Sequence, residues 1–600
     1  MANNNHLRSV TLYNVTMNRN NYYNEFFELG QQKINFNFYE LSLPDDDPVF
    51  TLKKVMEEMD FTALLAQYSG KGKHGFNPIM KYGVLTYANM RGIREIDRIV
   101  ELCKRDLAFI WLSQGTQPKR DAFYDFINKK LTPEILDDLN YQLLRRLKKE
   151  GLITLESLFI DGTKIEANAN RYTFVWRGTL NYHLVGLLAN IDVLYHKYNT
   201  LLEDNGYSEK YGLGNAMMFI IEGIDKVRTV IEKNRKRKLT KHKKLPNNTI
   251  IEIDNCSPLD ILKLQKNLMT IAENEGIKFV YGKGKKKSET QQLYEELDAC
   301  GTKLMEYKEC FEVMGKERNS YSKTDLAATF MRMKDDHMMN GQLKAAYNVQ
   351  IAVENYFIVH TYVSNDRTDY NTLIPVVQKH IHTFGEVLRE VTADSGYCSE
   401  KNLLFLKEHS IESYIKLQDH EQRKTRAYKE NIGKYYNMTT QIFEDEHFYI
   451  CHDGRELRHI RTEEKEMDGY TQTLEVYGCA DCSGCEHKTR CLYKYNPEKD
   501  TDKNKVMKIN ERWEALKERS HANIQSEKGI LNRQIRSIQT EGHFGDIKEN
   551  DDFRRFNHRT ADKVYKEFML YAIGRNINKY HRFLCNTIQK FEGKKGENVA

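Results

Sequence analysis

The sequence predicts an α/β protein: a mixed sheet flanked by helices, with an N-terminal helical domain, a helical insertion and a Cys-rich insertion. Short apolar runs of strand length, such as those ending at Ile160 and at Ala393, alternate with longer segments whose apolar residues recur every three or four positions. Two further β-rich runs, Tyr347 to Val353 and Phe357 to Val363, are joined by a short connection and predict an antiparallel hairpin. A sheet that combines a hairpin with helix-connected strands is mixed.

Length and shifts in composition divide the chain into several segments. Six hundred residues are too many for one hydrophobic core, so we expect several domains or one domain with large insertions. The expected segments are an N-terminal arm and helical domain in 1–150, a sheet-and-helix core in 151–179, 324–417 and 511–600, a basic helical insertion in 180–323, and a Cys-rich insertion in 418–510. Within the second core segment, Thr368 and Asp369 are expected to cap a helix that continues through Leu373 and Val377.

Charge and hydropathy limit the functional classes. The net charge of +6, from 91 basic and 85 acidic residues, is mild, so any argument for a polyanionic partner depends on where the charges lie. The N-terminus lacks the apolar centre of a signal peptide, and no apolar run approaches the ~20 residues of a membrane span. We therefore expect a cytoplasmic protein with no membrane association, whose cysteines are thiols or metal ligands rather than disulfides.

Clusters of basic residues predict contacts with nucleic-acid phosphates. Arg94 and Arg98 are expected on one helix face of the N-terminal helical block, which suits a DNA-binding module; a solvated helix face is the alternative. Arg177 closes an aromatic stretch that could stack on bases and hold phosphates, or pack in the core. Arg237 and Lys238 lie in the densest basic run of the chain, which would bind polyanions through counterion release or form a solvated loop.

Four cysteines in the spacing C-x2-C-x2-C-x5-C predict a metal site in the Cys-rich insertion. Thiolates two residues apart can bind one ion, and Gly484 relieves the tight turn between them. Zinc is the first interpretation and an iron–sulfur cluster the second, with unliganded structural thiols as the remaining alternative. The predicted ligands are Cys479, Cys482, Cys485 and Cys491.

Three carboxylates stand in settings that suit divalent-cation chemistry. Asp161 ends a buried strand and precedes a glycine, and Asp394 repeats that arrangement far downstream. Glu541 lies on a predicted helix, with Lys548 two turns further along the same face. Mg²⁺ and Mn²⁺ prefer carboxylate oxygen, and three acids gathered without a cation would repel one another. Turn-capping aspartates and an ordinary surface glutamate are the alternatives.

Several stretches of the chain carry a family resemblance. They are Phe159-Ile-Asp-Gly-Thr-Lys-Ile-Glu-Ala167, Thr329-Phe-Met-Arg-Met-Lys334 with Asn340-Gly-Gln-Leu-Lys344, Val391-Thr-Ala-Asp-Ser-Gly-Tyr397, and Ser537-Ile-Gln-Thr-Glu-Gly-His-Phe-Gly545. Together they resemble the DDE transposases of bacterial insertion sequences, whose catalytic core is ribonuclease H-like. The Cys-rich segment also looks like this group, so the resemblance covers most of the chain beyond the N-terminal arm.

The resemblance implies residue roles. Asp161, Asp394 and Glu541 would form the catalytic, metal-binding triad. The family's glutamate helix often carries an arginine four residues before the acid and a lysine seven residues after it. Lys548 fits the lysine, and Arg536 lies one residue before the arginine's position; both are expected to contact DNA.

The resemblance also implies an activity and partners. It implies a transposase that binds the terminal inverted repeats of its element, cuts double-stranded DNA at the element ends with Mg²⁺ or Mn²⁺, and transfers the freed strand to target DNA as a homodimer. Two alternatives stay open. One is a catalytically inactive DNA-binding protein of transposase descent, and the other is a ribonuclease H-like nuclease without strand transfer.

Overall fold

The fold was examined in a computed structural model that describes residues 43–68, 75–211, 258–315, 318–333, 341–443, 446–467, 470–498, 500 and 502–597. Thirteen strands lie in this part of the chain. They are β1 (Ser157–Glu166), β2 (Phe174–Trp176), β3 (Ser320–Ser322), β4 (Thr329–Arg332), β5 (Leu343–Glu354), β6 (Phe357–Ser364), β7 (Glu390–Ala393), β8 (Glu412–Ile415), β9 (Thr439–Phe443), β10 (Glu446–Ile450), β11 (Glu456–Met467), β12 (Tyr470–Cys479) and β13 (Val506–Ile509).

Seven α-helices precede the first strand in the described part of the chain. They are α1 (Pro48–Glu57), α2 (Thr62–Leu65), α3 (Pro78–Met90), α4 (Ile96–Arg105), α5 (Leu107–Leu112), α6 (Arg120–Asp125) and α7 (Pro133–Lys149). Three of them begin at a proline preceded by a capping side chain, because proline suits the first helical position and the cap accepts an otherwise unpaired N–H. The caps are Asp47, Asn77 and Thr132.

A mixed sheet forms the centre of the fold. Strand β5 pairs antiparallel with β1, β4 and β6, whereas β1, β7 and β8 run parallel to one another. The predicted hairpin is confirmed as β5 and β6, which are joined through Asn355 and Tyr356. Both of these residues have positive φ, as a tight two-residue hairpin connection requires. The sheet confirms the α/β class with parallel and antiparallel strands.

Long helices occupy the segment between β2 and β3. They are α8 (Arg177–Asp204), α9 (Ser208–Tyr211), α10 (Pro258–Asn274) and α11 (Glu289–Met314). Leucine, isoleucine and tyrosine side chains of α8, α10 and α11 form a hydrophobic cluster of their own. Residues 212–257, which include the predicted phosphate contacts Arg237 and Lys238, lie outside the described residues.

The Cys-rich segment contains an antiparallel sheet in the order β13-β12-β11-β10-β9. Buried Glu400, near the main sheet, ties this second sheet to the core. Its carboxylate accepts hydrogen bonds from Asn510 Nδ2 at 2.7 Å, Arg512 Nε at 2.9 Å and Gln472 Nε2 at 3.1 Å. A buried carboxylate with three donors is well satisfied, so this junction is held by polar contacts rather than by apolar packing.

Eight further α-helices follow β6 in the described residues. They are α12 (Leu373–Phe384), α13 (Glu400–Glu408), α14 (Arg426–Lys429), α15 (Lys488–Cys491), α16 (Glu511–Gln525), α17 (Glu527–Arg536), α18 (Gly542–Gly545) and α19 (Ala561–Glu597). None of the helices in the described part of the chain combines the length and the apolar character of a bilayer-spanning helix.

One hydrophobic core joins the N-terminal helices to the sheet and to the last helix. Its members run from Val49 in α1 through Ile160 in β1 to Ile577 in α19. Every residue of α3 is buried, and a methyl group added at Gly574 of α19 would lie 2.9 Å from the backbone nitrogen of Met90. The α3 and α19 backbones therefore meet in direct contact. The segment boundaries given above stay a prediction.

Candidate active site

Two of the predicted carboxylates are neighbours in the main sheet. Strands β1 and β7 are parallel, and Ile160 is paired with Ala393. Asp161 and Asp394 are the next residue on each strand, so both carboxylates lie where the two paired strand segments end. The register of the two strands alone puts the two aspartates next to each other, because residues that follow a paired position on adjacent parallel strands lie side by side.

The Asp161 carboxylate is held by three donors. The backbone N–H of Gly162 donates to Oδ1 at 2.8 Å, while Arg536 Nη1 and Thr540 Oγ1 donate to Oδ2 at 2.7 and 3.1 Å. The side chains of Arg536 and Asp161 are only 16% and 13% exposed. Because two partly buried opposite charges at this distance neutralise each other, Arg536 supplies the positive charge beside Asp161 in this structure.

Glu541 lies on the helix that approaches Asp161, but one residue beyond the contacting face. A π-helical turn (Ser537–Glu541) continues α17, and a second π-helical turn (Asp546–Asn550) follows α18. Arg536 and Thr540 are four residues apart and share the face toward Asp161, whereas the Glu541 side chain is exposed. Single π turns inside α-helices occur frequently at functional sites.

A carboxylate that was not predicted, Asp369, lies beside Asp394. A methyl group added at Gly396 would lie 3.0 Å from Asp394 Oδ1 and 3.2 Å from Asp369 Oδ2, so both acids flank this glycine. Asp369 Oδ1 accepts hydrogen bonds from Asn348 Nδ2 at 2.7 Å and from Gln350 Nε2 at 3.0 Å. Both amides are buried on β5, at positions that would otherwise hold apolar residues.

The expected capping role of Asp369 is wrong. Helix α12 begins at Leu373, and Thr372 precedes it without a side-chain cap. The N–H and the hydroxyl of Thr372 both donate to the backbone carbonyl of Asp369, so its carboxylate takes no part in starting the helix. The sequence signal that could have found Asp369 was the pair of amides, Asn348 and Gln350, inside an otherwise apolar strand.

Buried Tyr397 lies at the centre of these charges. Its hydroxyl donates to Gln350 Oε1. Burial raises the pKa of Tyr397 well above its usual value, the carboxylates of Asp369, Asp161 and Asp394 raise that pKa further, and Arg536 lowers it. All four charged groups therefore act on one hydroxyl, which remains protonated and donates to the amide that holds Asp369.

Gly162, the residue after Asp161, must be a glycine because a neighbouring side chain lies close to its backbone. A methyl group at Gly162 would overlap the side-chain amide of Gln350, which lies directly against the backbone of β1. The Gln350 side chain therefore packs against the β1 backbone at Gly162, and its amide also donates to Asp369. The Asp-Gly pattern thus reflects the packing of this amide.

The donor chemistry of this site fits a hard divalent cation. Asp161 and Asp394 offer carboxylate oxygen, and Asp369 adds a further carboxylate beside Asp394. Among the residues that the structure describes, no group of three or more His, Cys, Asp or Glu side chains is spaced to hold a metal ion. The predicted triad is therefore not gathered as a cation site here, and Arg536 provides the counter-charge instead.

The predicted zinc or iron–sulfur site is not formed in the described structure. Five thiols line one small cavity of about 20 Å³, including the four predicted ligands. Cys479 Sγ–H donates to the carbonyl of Asp481 at 3.2 Å, and Cys482 Sγ accepts from the backbone N–H of Lys505 at 3.4 Å. Burial, with Cys482 nearby, raises the pKa of the Cys479 thiol to about 11, so this sulfur is held as a protonated thiol. Like Cys479, Cys485 and Cys491 have raised pKa values because they are buried.

Two predicted phosphate contacts have structural partners within the chain. Arg94 pairs with buried Glu567 at 2.9 Å, with both side chains 6% exposed, and lies over the ring of Phe553. It lies in the loop between α3 and α4 rather than on a helix face with Arg98. Arg177 is buried and donates to the carbonyl of Arg318 at 2.8 Å. These contacts explain both arginines without DNA.

Other predicted contacts lie on the surface or at the helix that approaches Asp161. Arg98 is exposed on α4. Lys548 lies in the second π turn, where its carbonyl accepts from Arg554 Nε at 3.1 Å. Arg536 is the ion-pair partner of Asp161 described above.

A basic groove lies on the far side of the same helix. Its cavity, of about 240 Å³, is bounded by the first π turn, Tyr356 and α19. Exposed Lys579 and Arg582 line it together with Arg575, and Lys579 Nζ lies 4.4 Å from the ring centroid of Tyr356. Asp546 is the acid in this lining, and it is already paired with Arg575. The groove therefore carries net positive charge. We call the surface formed by Arg575, Lys579 and Arg582 the basic groove.

Comparisons with known proteins relate both ends of the chain to transposases. A family model described as "Transposase DDE domain" matches residues 450–581, and one described as "Transposase domain (DUF772)" matches residues 37–129. The first match includes the cysteine cavity and Glu541, while Asp161 and Asp394 lie between the two matches. No curated protein and no solved structure matched the chain. Both family matches are to transposases, so they relate the chain to the DDE-type transposases of insertion sequences.

Proposed function

We propose that the protein binds the terminal inverted repeats of its element and catalyses divalent-cation-dependent strand cleavage and strand transfer on double-stranded DNA. The observation that carries this proposal is that Asp161 and Asp394 directly follow Ile160 and Ala393, the last paired residues of parallel β1 and β7, in a chain with two transposase family matches. The mixed sheet around them supports a ribonuclease H-like core. Action as a homodimer on paired ends belongs to the same proposal.

Asp161, Asp394 and Glu541 are the proposed catalytic residues. Asp161 and Asp394 would hold Mg²⁺ or Mn²⁺ from rigid strand ends, and Glu541 would complete the site from the helix that already contacts Asp161 through Thr540. When bound, such cations activate a water and neutralise the charge that develops on the phosphate. Arg536 must leave Asp161 Oδ2 for that oxygen to accept a cation.

The reaction is two in-line displacements at phosphorus. A water oxygen attacks the phosphodiester at the element end and breaks the bond to the 3′-oxygen, which leaves as a 3′-hydroxyl after taking a proton. That hydroxyl then attacks a phosphodiester of target DNA and displaces its 3′-oxygen. The residues around Asp161 contribute orientation, since Gly162, Arg536 and Thr540 fix its carboxylate before substrate arrives.

The basic groove is the proposed path for the DNA backbone away from this site. It lies on the same helix as Glu541, and Lys579 and Arg582 are exposed in it. Exposed cations bind phosphates without sequence preference and release counterions, which favours them as positioning contacts. Lys548 and Arg98 are further proposed phosphate contacts. Arg237 and Lys238 are also proposed as phosphate contacts, on the basis of the sequence.

The test is cleavage and joining of labelled element-end DNA with Mg²⁺ or Mn²⁺. Wild-type protein is expected to nick at the end and to join it to target DNA. Asp161→Asn, Asp394→Asn and Glu541→Gln should each lower nicking by about 10³-fold or more while leaving DNA binding in place. Glu549→Gln is the matched control, because Glu549 is an exposed acid on the same helix whose ion pair lies on the surface.

The outcomes separate this proposal from its rivals. Cleavage without joining would identify a nuclease without strand transfer, and end binding without cleavage would identify an inactive DNA-binding protein. Undiminished nicking in Asp161→Asn would remove that residue from the active site.

A further inference from the structure

We propose that a cavity at the edge of the main sheet binds an unpaired nucleotide of a DNA strand, with the base on a pair of stacked tyrosines and the phosphate at Lys434. This inference rests on the proposed function and deepens it, because it names a second place where the bound DNA is held. The cavity, of about 760 Å³, is lined by residues of the segment 419–436, of β13 and of α16. We call it the tyrosine cavity.

The tyrosine cavity begins at the sheet edge that carries Asp394. Strands β7 and β8 are parallel, and Ala393 is paired with Ile415 at their ends. Asp394 follows the first strand, and the chain that follows the second reaches the cavity lining at Asp419. Because the carboxyl ends of parallel neighbours share one edge of a sheet, a DNA strand at Asp394 has the cavity on the same edge.

Two tyrosines of the lining form a flat aromatic surface. Tyr428 and Tyr436 stack face to face, with ring centroids 4.3 Å apart and an interplanar angle of 6°. Tyr435, between them in the lining, instead meets Tyr449 of β10 edge-on and packs against the hydrophobic cluster of the second sheet. Tyr436 is 37% exposed. An exposed aromatic ring that is backed by a second ring is the kind of surface on which a nucleobase stacks.

The loop that carries Tyr436 is held in place by the cysteine segment. Lys505 Nζ donates to the carbonyl oxygen of Gly433 at 2.6 Å and to that of Cys491 at 3.1 Å. A methyl group added at Gly433 would overlap the Cys491 carbonyl oxygen, so the two backbones are in direct contact. Since the loop is fixed in this way, binding a base on it costs little ordering entropy.

The charges of the lining favour an anionic ligand. Four lysines and two acids line the cavity, and both acids already have cationic partners. Asp419 is paired with Arg423 at 3.1 Å, and Glu514 with Lys517 at 2.5 Å. Lys434 is exposed and has no ion-pair partner among the described residues. It lies two residues before the exposed tyrosine, which suits a nucleotide because its phosphate and its base are one sugar apart.

The experiment is binding of a labelled oligothymidine of about ten nucleotides to the full-length protein, followed by fluorescence anisotropy without divalent cations. Tyr436→Leu removes the aromatic face and should weaken binding of the single strand by about tenfold, whereas Tyr436→Phe keeps the face and should bind as the wild type does. Tyr493→Leu is the matched control, because Tyr493 is an 82% exposed tyrosine of the Cys-rich segment outside the cavity lining. A duplex of the same length should bind all these variants equally.

Salt dependence tests the phosphate contact separately. Lys434→Gln should make the slope of log K against log salt concentration shallower by about 0.7 for the single strand, which is the value for one lost phosphate contact. Lys429→Gln is the control, because Lys429 is an exposed lysine of α14 outside the cavity lining, and it should leave the slope unchanged. This measurement does not depend on the tyrosine variants, so it tests the site even where Tyr436→Leu proves unstable.

Four results would overturn this inference: unchanged single-strand affinity in Tyr436→Leu, an equal loss in Tyr436→Phe, an equal loss on the duplex, or an unchanged slope in Lys434→Gln. Each of them leaves the proposed function intact where the wild type still nicks element ends with Mg²⁺. A wild-type protein that binds the single strand through Tyr436 but fails to nick element ends would overturn the proposed function and leave the nucleotide site in place.

Discussion

The carboxylate site and the cysteine cavity were both predicted as metal centres, and the structure brings their residues together in different ways. Asp161 and Asp394 are more than two hundred residues apart in the sequence and become neighbours through the register of β1 and β7. The four predicted cysteine ligands lie within thirteen residues of one another and line one cavity, where Cys479 and Cys482 bond to backbone groups.

The two sites differ in how strongly the sequence pattern determines the positions of the side chains. Parallel strands fix side-chain positions through backbone hydrogen bonds, so a strand-end acid has a determined place whether or not a cation is present. Short cysteine spacing only permits a common ligand geometry, because the loop that carries the thiols can settle on backbone partners such as the carbonyl of Asp481. The two sites should therefore respond differently to small changes and to metal removal.

Among substitutions that leave the three proposed catalytic acids in place, the largest effect is expected from Gly162→Ala. The added methyl group overlaps the Gln350 amide, so this amide must move and Asp369 and Tyr397 lose their fixed partner. We expect cleavage to fall by about 10²-fold, as for other displacements of about an ångström in an active site, with a stability loss of roughly 1–3 kcal/mol. Kinetics of end cleavage and denaturant unfolding measure the two effects.

Gly186→Ala is the matched control for that substitution. Gly186 lies exposed in α8 with no atom near its missing side chain, so alanine there should leave cleavage unchanged and stabilise the helix by up to ~1 kcal/mol. Equal behaviour of the two variants would contradict the close approach of Gln350.

A smaller effect is expected from Arg536→Gln. Arg536 supplies the positive charge at Asp161 Oδ2, so its removal frees this oxygen for a cation. Mn²⁺ binding without DNA should tighten by about tenfold, which corresponds to roughly 1.4 kcal/mol. Calorimetric titration checks the change, and Arg533→Gln on the same helix serves as control because Arg533 bonds to a backbone carbonyl instead. Weaker Mn²⁺ binding in Arg536→Gln would show that the arginine does not compete with the cation.

The smallest effect is expected from chelation. Cys479 and Cys482 have hydrogen-bond partners in the chain, and burial raises the pKa of the Cys479 thiol. Dialysis against a strong chelator should shift the thermal midpoint by less than about 2 °C, whereas loss of a structural zinc would remove on the order of 10 kcal/mol. Stoichiometric zinc in the purified protein, together with a collapse of the midpoint on chelation, would show that these thiols bind zinc.

The main sheet could be predicted from sequence because its strands are apolar and carry turn signals. The hairpin of β5 and β6 and the apolar runs before Asp161 and Asp394 followed from local pattern. The prediction that Asp161 ends its strand is wrong, because β1 continues to Glu166 in pairing with β5. The second sheet could not be predicted in this way. Strands such as β9 and β11 are largely exposed on both faces, so their sequences lack the apolar alternation by which strands are recognised.

The sequence also could not predict the roles of residues whose partners are distant in the chain. Arg94 resembles any surface arginine until Glu567 of the last helix and Phe553, which precedes that helix, are placed around it. Asp369 resembles a helix cap because Thr-Asp before an apolar run is the usual capping pattern. Its amide partners lie on another strand, and only pairing of β5 with its neighbours brings them close.

The contact between Gly574 and the backbone of α3 has a consequence for synthesis. Helix α3 is made early, yet the surface that encloses it comes from α19, near the end of translation. During elongation the face of α3 that α19 later covers therefore stays exposed for most of synthesis, which favours chaperone binding and aggregation of incomplete chains. Products truncated before residue 561 lack that cover and should be insoluble.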